Sequence, residues 1–235
     1  MNKSTVKEIK ERFDNDVERF SNLDTGQVAT IDAKVSLELL TETSKRITPN
    51  AKNLLDIGCG AGNYSLKMLT KIADLNCTLV DLSEPMLDKA KERVSAKTKN
   101  KVETIQGDIR EVGLKENSFD IILAGAVLHH LRDDSDWETT FDKLYSLLKP
   151  GGCLMISDLI TQETNAVNEY TWERYGDYLE SIDGKEYRKK VLDYVEKEDS
   201  PRSMTYQIEL MKKVGFNKTE ILHKNMCFGA FGGIK

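Results

Sequence analysis

The sequence predicts an α/β protein on a doubly wound, mostly parallel sheet, and two observations predict it. From Ala51 to about Ile160, short apolar runs alternate with amphipathic stretches, the pattern of βα units. The first of those runs, ending Leu54-Leu55-Asp56-Ile57, passes straight into the glycine loop Gly58-Cys59-Gly60-Ala61-Gly62 and then into a helix, as nucleotide-type sites do.

The elements follow in chain order. Residues 1–50 read as an N-terminal helical segment: Val6, Ile9, Phe13, Val17 and Phe20 recur at helical spacing. After a polar break around Ser21 to Gln27, Ile31, Val35, Leu39 and Leu40 form a second stripe, which Thr48-Pro49-Asn50 ends. Packing explains the first stripe better than a lid over a ligand does. The core spans residues 51–160, with strands at Asn53 to Ile57, Cys77 to Asp81, Val102 to Gln106, Asp120 to Ala124 and Cys153 to Leu159. Helices fit at Asn63 to Ile72, Glu84 to Lys97 and Trp137 to Leu148, the last closed by Lys149-Pro150-Gly151-Gly152. Residues 161–202, rich in tyrosine and charge, read as a helical cap inserted before the last elements. Residues 203–235 complete the core with a helix from Ser203 to Val214, stopped by Gly215, and a hairpin of strands around Thr219 to His223 and Cys227 to Ile234.

Composition narrows the function. With 235 residues, 39% hydrophobic and 31% charged, the chain suits one compact domain with an appended cap. A net charge of -5 offers no broad attraction to phosphate, which argues against a nucleic-acid partner and for a small molecule. Cys59, Cys77, Cys153 and Cys227 lie far apart without CxxC pairs, so no metal site is expected and the thiols should be reduced. The charged stretch Met1 to Arg12 has no signal-peptide core and no later run could span a bilayer, so the expected location is cytoplasmic. The oligomeric state is left open, a homodimer included.

Four strand ends carry the chemistry. At the first, Gly58, Gly60 and Gly62 allow a tight turn and close approach of a ligand to the backbone, and Asp56 can orient the loop or a ligand ammonium group. A dinucleotide loop would have glycine at position 63, where this chain has Asn63. At the second, Leu79-Val80-Asp81-Leu82-Ser83-Glu84-Pro85-Met86 delivers Asp81 about 20 residues after the loop, where a carboxylate meets a ribose diol. Leu82 and Met86 fall on the same ligand side, while Ser83 and Pro85 make a helix start. At the third, Gln106-Gly107-Asp108-Ile109 offers Asp108 to an adenine amine and Ile109 to its face. At the fourth, Ala124 and Gly125 leave room beside the reacting centre, and His129 fits both a general base and a structural hydrogen bond. The structural role suits His130 better.

These blocks, from Asn53 to Leu159 and including Leu147-Leu148-Lys149-Pro150-Gly151-Gly152, resemble class I S-adenosylmethionine (SAM) methyltransferases, in particular the small-molecule group with the type 11 or type 25 domain. The resemblance implies a Rossmann-like seven-stranded sheet with an antiparallel last strand, and SAM as cofactor. It places the glycines at the methionine end, Asp81 at the ribose, and Asp108 with Ile109 at the adenine. The implied activity is methyl transfer to a small acceptor, whose nucleophilic atom the core does not reveal. Arg12-Phe13-Asp14-Asn15-Asp16-Val17 and the terminal Cys227-Phe228-Gly229-Ala230-Phe231-Gly232-Gly233 also resemble carboxy-SAM synthases of tRNA modification. Those enzymes rely on a cap arginine, for which Arg188 is the candidate. A SAM-binding protein without catalysis remains open as well. An NAD oxidoreductase is disfavoured by Asn63.

Overall fold

The computed structural model describes residues 3–22 and 26–235; residues 1–2 and the middle of the predicted polar break, 23–25, lie outside it. Seven strands form one sheet: β1 (Asn53–Ile57), β2 (Asn76–Asp81), β3 (Val102–Gln106), β4 (Phe119–Gly125), β5 (Leu148–Leu159), β6 (Lys218–Asn225) and β7 (Phe228–Ile234). Their spatial order is β3-β2-β1-β4-β5-β7-β6, parallel except for β7, which runs antiparallel to both neighbours. The predicted doubly wound sheet with an antiparallel last strand is therefore the observed one. Winding reverses between β1 and β4, which opens a crevice at their carboxyl ends.

Burial explains why the middle strands hold the centre. Leu54 pairs with Cys77 on one side and Ile121 on the other, and all three side chains are buried. Helices cover both faces: α1 (Val6–Asp14), α2 (Val17–Ser21), α3 (Ala33–Ile47), α4 (Asn63–Lys71), α5 (Glu84–Ser95), α6 (Asp134–Leu147), α7 (Asn165–Glu198) and α8 (Met204–Val214). On one face, Leu37 and Leu40 of α3 meet Met68 of α4 and Met155 of β5; on the other, Trp137 and Phe141 of α6 join Met211 of α8 and Phe231 of β7.

Three boundaries differ from the sequence reading. The first apolar stripe is two helices, because Asn15 caps α1, whose start is fixed by a capping box of Thr5 and Glu8. Helix α6 starts at Asp134 rather than Trp137, since the Asp133 side chain accepts from Asp136 N at 2.9 Å, a cap that precedes the apolar residues. Lys149-Pro150-Gly151-Gly152 belongs to β5, which begins directly after α6. Pro150 lacks an N–H and falls where the β4–β5 pairing slips between Phe119 and Ile121, so no ladder bond is lost. Cap helix α7 bends at Asp183 and Gly184, the latter at φ 76°.

Candidate active site

The crevice at the strand ends holds two adjoining cavities, with Phe13, Phe20, Tyr64, Ala126 and His130 lining both. The smaller, about 140 Å³, lies over the glycine loop. Gly58 stands at φ 59°, and a Cβ there would collide with the Val127 side chain, so the turn admits no larger residue. Gly60 is at φ 50° with open space where its Cβ would be, leaving bare backbone to the cavity. Its N–H donates to Asp81 Oδ2 at 2.8 Å, while Ser83 N donates to Oδ1 at 2.9 Å. Burial pushes the Asp81 carboxyl above its ordinary range against these bonds. Each oxygen keeps a lone pair for a ligand hydroxyl, so loop and acid together fit a nucleoside with a free diol. Leu82 and Met86 complete that wall.

Other predicted residues serve the site from behind. Asp56 is buried under the loop, where its Oδ2 accepts from Ser65 N at 3.1 Å and Ser65 Oγ at 2.6 Å. Gly62 occupies the N-cap position of α4 and has no side chain to cap with, so Asp56 supplies the missing carboxylate. Burial lifts the Asp56 carboxyl to about 7. Asp108 is gripped by Arg110, whose Nη2 and Nε donate at 2.6 and 3.0 Å; this holds the carboxyl below its usual range although burial opposes it. Ile109 and Ala124 are buried in the core, and neither lines a cavity. Arg188 pairs with Asp177 at 3.1 Å and Glu180 at 3.3 Å, away from both cavities, so the structure does not bring it to the site.

Asn63, the position that separates this loop from a dinucleotide loop, ties the site to its roof. Its Nδ2 donates to Phe20 O at 2.8 Å and its Oδ1 accepts from Arg93 Nη1 at 3.0 Å. Phe13 and Phe20, in the stripe the sequence reads as packing, line both cavities.

The larger cavity, about 720 Å³, lies between the β4 and β5 ends, α1, α2 and the cap. His129 sits in the short 3-10 turn Leu128–His130 after β4, its Nδ1 bonded to Asp158 Oδ1 at the end of β5. Asp158 Oδ2 accepts from Leu128 N at 2.8 Å and His129 N at 3.2 Å, which fixes the carboxylate and hence the ring. Burial disfavours charge on His129, but the carboxylates of Asp158 and Asp199 outweigh it and lift the imidazole to about 9. Arg12 stacks on Phe13 and Tyr194 and donates to Tyr194 Oη at 2.9 Å and Glu198 Oε2 at 3.0 Å. Tyr175, Tyr187 and Tyr194 bring cap side chains to the wall, while Trp172 and Tyr178 pack beneath them.

Sequence reasoning missed Asp158, Asp199, Tyr64 and Arg12. Asp158 carried a signal, an acid at the end of a buried strand as at Asp56 and Asp81. Asp199 carried none, because its neighbours His129 and His130 are far away in the chain.

Residues 54–152 match the family described as "Methyltransferase domain". A carboxy-S-adenosyl-L-methionine synthase of Vibrio atlanticus is 29% identical over 196 residues, covering 82% of this chain and 80% of that protein. A demethylmenaquinone methyltransferase of Listeria monocytogenes is 29% identical over 195 residues, covering 80% of each chain. Among solved structures, the N-methyltransferase NodS of Bradyrhizobium japonicum, in complex with S-adenosylhomocysteine, superposes with a TM-score of 0.65 at 17% identity, covering 98% of this chain and 99% of that one. The chain spans 59%, 55% and 56% of the length of three other methyltransferase structures of this fold. Among the described residues, no helix is long and apolar enough to cross a membrane. A bare-glycine turn with a carboxylate beside it lies within residues 54–152, which form a methyltransferase domain of the kind that takes SAM as its cofactor.

Proposed function

We propose that this enzyme transfers a methyl group from SAM to a nucleophile on a small acceptor bound in the larger cavity. The observation that carries the reading is the junction of the two cavities at Tyr64, Ala126 and His130, which lets a cofactor on the glycine loop face a second ligand. When bound, SAM supplies an activated methyl: the acceptor's lone pair bonds to the methyl carbon, the carbon–sulfur pair stays on sulfur, and the acceptor's proton leaves to solvent. Gly58, Gly60, Asp81, Leu82 and Met86 would hold the cofactor, with Asp56 and Gly62 shaping the loop. The enzyme's own contribution is orientation and exclusion of water, because a sulfonium needs no further activation. His129, braced by Asp158, lies on the wall of the larger cavity as the candidate catalytic residue. In this division of labour residues 51–160 serve the cofactor, and segments 1–50 and 161–202 select the acceptor. The acidic chain and a cavity of about 720 Å³ suit a small molecule better than a nucleic acid.

Isothermal titration with SAM and S-adenosylhomocysteine tests the cofactor half, with binding by both expected; absence of both at millimolar concentration rejects it. Incubation with methyl-labelled SAM and a pool of metabolites tests transfer, with label expected in a small product.

The likeness to a carboxy-SAM synthase favours a second reading, in which the cofactor itself is modified. Mass spectrometry of the nucleoside after turnover with the same metabolite pool, which would have to include a carboxylic-acid donor, separates the two: a cofactor heavier by one CO2 supports the second reading, and S-adenosylhomocysteine the first. Arg188 does not face the cavity, so that reading would have to draw its arginine from Arg12 or Arg19.

A further inference from the structure

We propose that His129, His130 and Asp199 form a binding site for a divalent transition-metal ion, of the zinc or iron(II) class, on the wall of the acceptor cavity. This rests on the methyltransferase reading for its purpose, since the ion would hold and acidify an acceptor hydroxyl beside the cofactor.

The donor set is two imidazoles and one carboxylate, a combination that suits zinc or iron(II) and leaves coordination positions for ligands. One donor atom from each residue lies within 4.8 Å of the other two. Asp199 Oδ1 stands 3.3 Å from His130 Nδ1 and 3.7 Å from His129 Nε2. Donors on a tetrahedral ion with bonds of about 2.1 Å stand roughly 3.4 Å apart, so both carboxylate-to-imidazole separations match coordination to a common point.

Charge on His129, favoured by Asp158 and Asp199, accounts for part of the cluster, and a metal ion would take the place of that proton, but the aligned hydrogen bonds leave several of its atoms unpaired. Asp199 is 3% exposed, yet its Oδ1 has no hydrogen-bond partner, and neither do the two ring nitrogens of His130. Buried polar atoms are nearly always satisfied, and leaving them so costs free energy. The 3.3 Å pair is thus close without being aligned as donor and acceptor. A cation between them would satisfy the carboxylate and the imidazoles at once.

The surroundings fit the same role. His129 gives its other nitrogen to Asp158, the carboxylate–histidine–metal arrangement that fixes tautomer and orientation. The backbone at Asp199 is pinned from three sides: Ser200 N donates to His129 O at 2.7 Å, Arg132 Nη1 to Glu198 O, and Lys3 Nζ to Asp199 O. Arg12, the cation whose field reaches His129 and Asp199, is itself paired with Glu198 at 3.0 Å. The cluster opens on the cavity of about 720 Å³, so the remaining coordination positions face the acceptor. An acceptor hydroxyl ligating the ion would release its proton to water in the cavity and present its oxygen as the nucleophile. The substrate class is then an oxygen acceptor able to ligate, such as a phenol, an enol or a hydroxy acid.

The test is a titration of the chelator-stripped full chain with cobalt(II), read by visible absorption, and with zinc, read by elemental analysis after gel filtration. We expect a single equivalent of metal per chain. D199N and H129Q should lose it, and Asp158→Asn should weaken it about 10- to 100-fold. Neither Asp199 nor His129 lines the cofactor cavity, so both variants should keep their affinity for S-adenosylhomocysteine, which also shows that they fold. A wild-type chain that binds neither metal, or variants that bind as well as wild type, overturn the site. If metal binding fails while S-adenosylhomocysteine still binds, the metal site alone is rejected and the cofactor reading stands.

Discussion

Asp81 meets two demands at once. Its carboxylate receives Gly60 N and Ser83 N, which sets the loop, and its remaining lone pairs face the cavity. A hydrogen bond to a charged group contributes about 1.5–3 kcal/mol, so Asp81→Ala should weaken SAM and S-adenosylhomocysteine binding roughly 10- to 100-fold. Calorimetry measures the affinity and circular dichroism checks the fold; a folded variant with wild-type affinity would remove the acid from the site. Asp158 acts one step further out, through His129. Asp158→Asn keeps the shape of the side chain but leaves Nδ1 of His129 without its anionic partner. Turnover should fall about 10- to 100-fold while S-adenosylhomocysteine affinity holds, because Asp158 lines only the acceptor cavity. Equal losses in both would show that Asp158 supports the fold rather than the reaction.

At the scale of elements, the start of α4 depends on an acid from another element. With Gly62 at its N-cap, the helix receives its capping oxygen from Asp56 at the end of β1. That arrangement carries a pH signature. The folded carboxyl sits near 7, above the value of about 4 expected in the unfolded chain, so the native state holds its proton more tightly. The stabilisation is complete below about pH 4 and is lost as pH rises through about 7. At about 1.4 kcal/mol per unit, the loss has an upper bound of about 4 kcal/mol. Asp56→Asn keeps an oxygen for Ser65 and does not titrate, so the stability gap between pH 5 and pH 8 should shrink; denaturant melts at the two values measure it, and an unchanged gap would contradict the assignment. Such strand-end elements were legible in sequence because a window of ten residues contains strand, turn and helix start together. The same window could not show that Arg110, two positions on, would claim Asp108, nor that Asp133 would start α6 ahead of its first apolar residue.

Across the whole molecule, the residues around the smaller cavity are mostly local in sequence and those around the larger one are not. Arg12, His129 and Asp199 meet only after the N-terminal helices, the sheet and the end of the cap have packed, and no spacing rule links them. Periodicity alone could not say whether Phe13 and Phe20 pack the core or cover a ligand, since both roles need the same apolar stripe, and the structure places them on the walls of both cavities. What joins the two halves is Asn63, bonded to Phe20 O above it and to Arg93 of α5 beside it. Cofactor bound beneath Phe13 and Phe20 should therefore tighten α1 and α2 along with the loop, whereas the β6–β7 hairpin at the far edge of the sheet has no such link. Hydrogen exchange should show S-adenosylhomocysteine slowing amides in residues 6–21 and leaving residues 218–225 unchanged. In Asn63→Ala the protection of residues 17–21 should diminish more than that of the loop itself, because the bond carrying the coupling is gone. Protection there equal to wild type would mean that the lid closes on the ligand directly and that Asn63 serves only the turn.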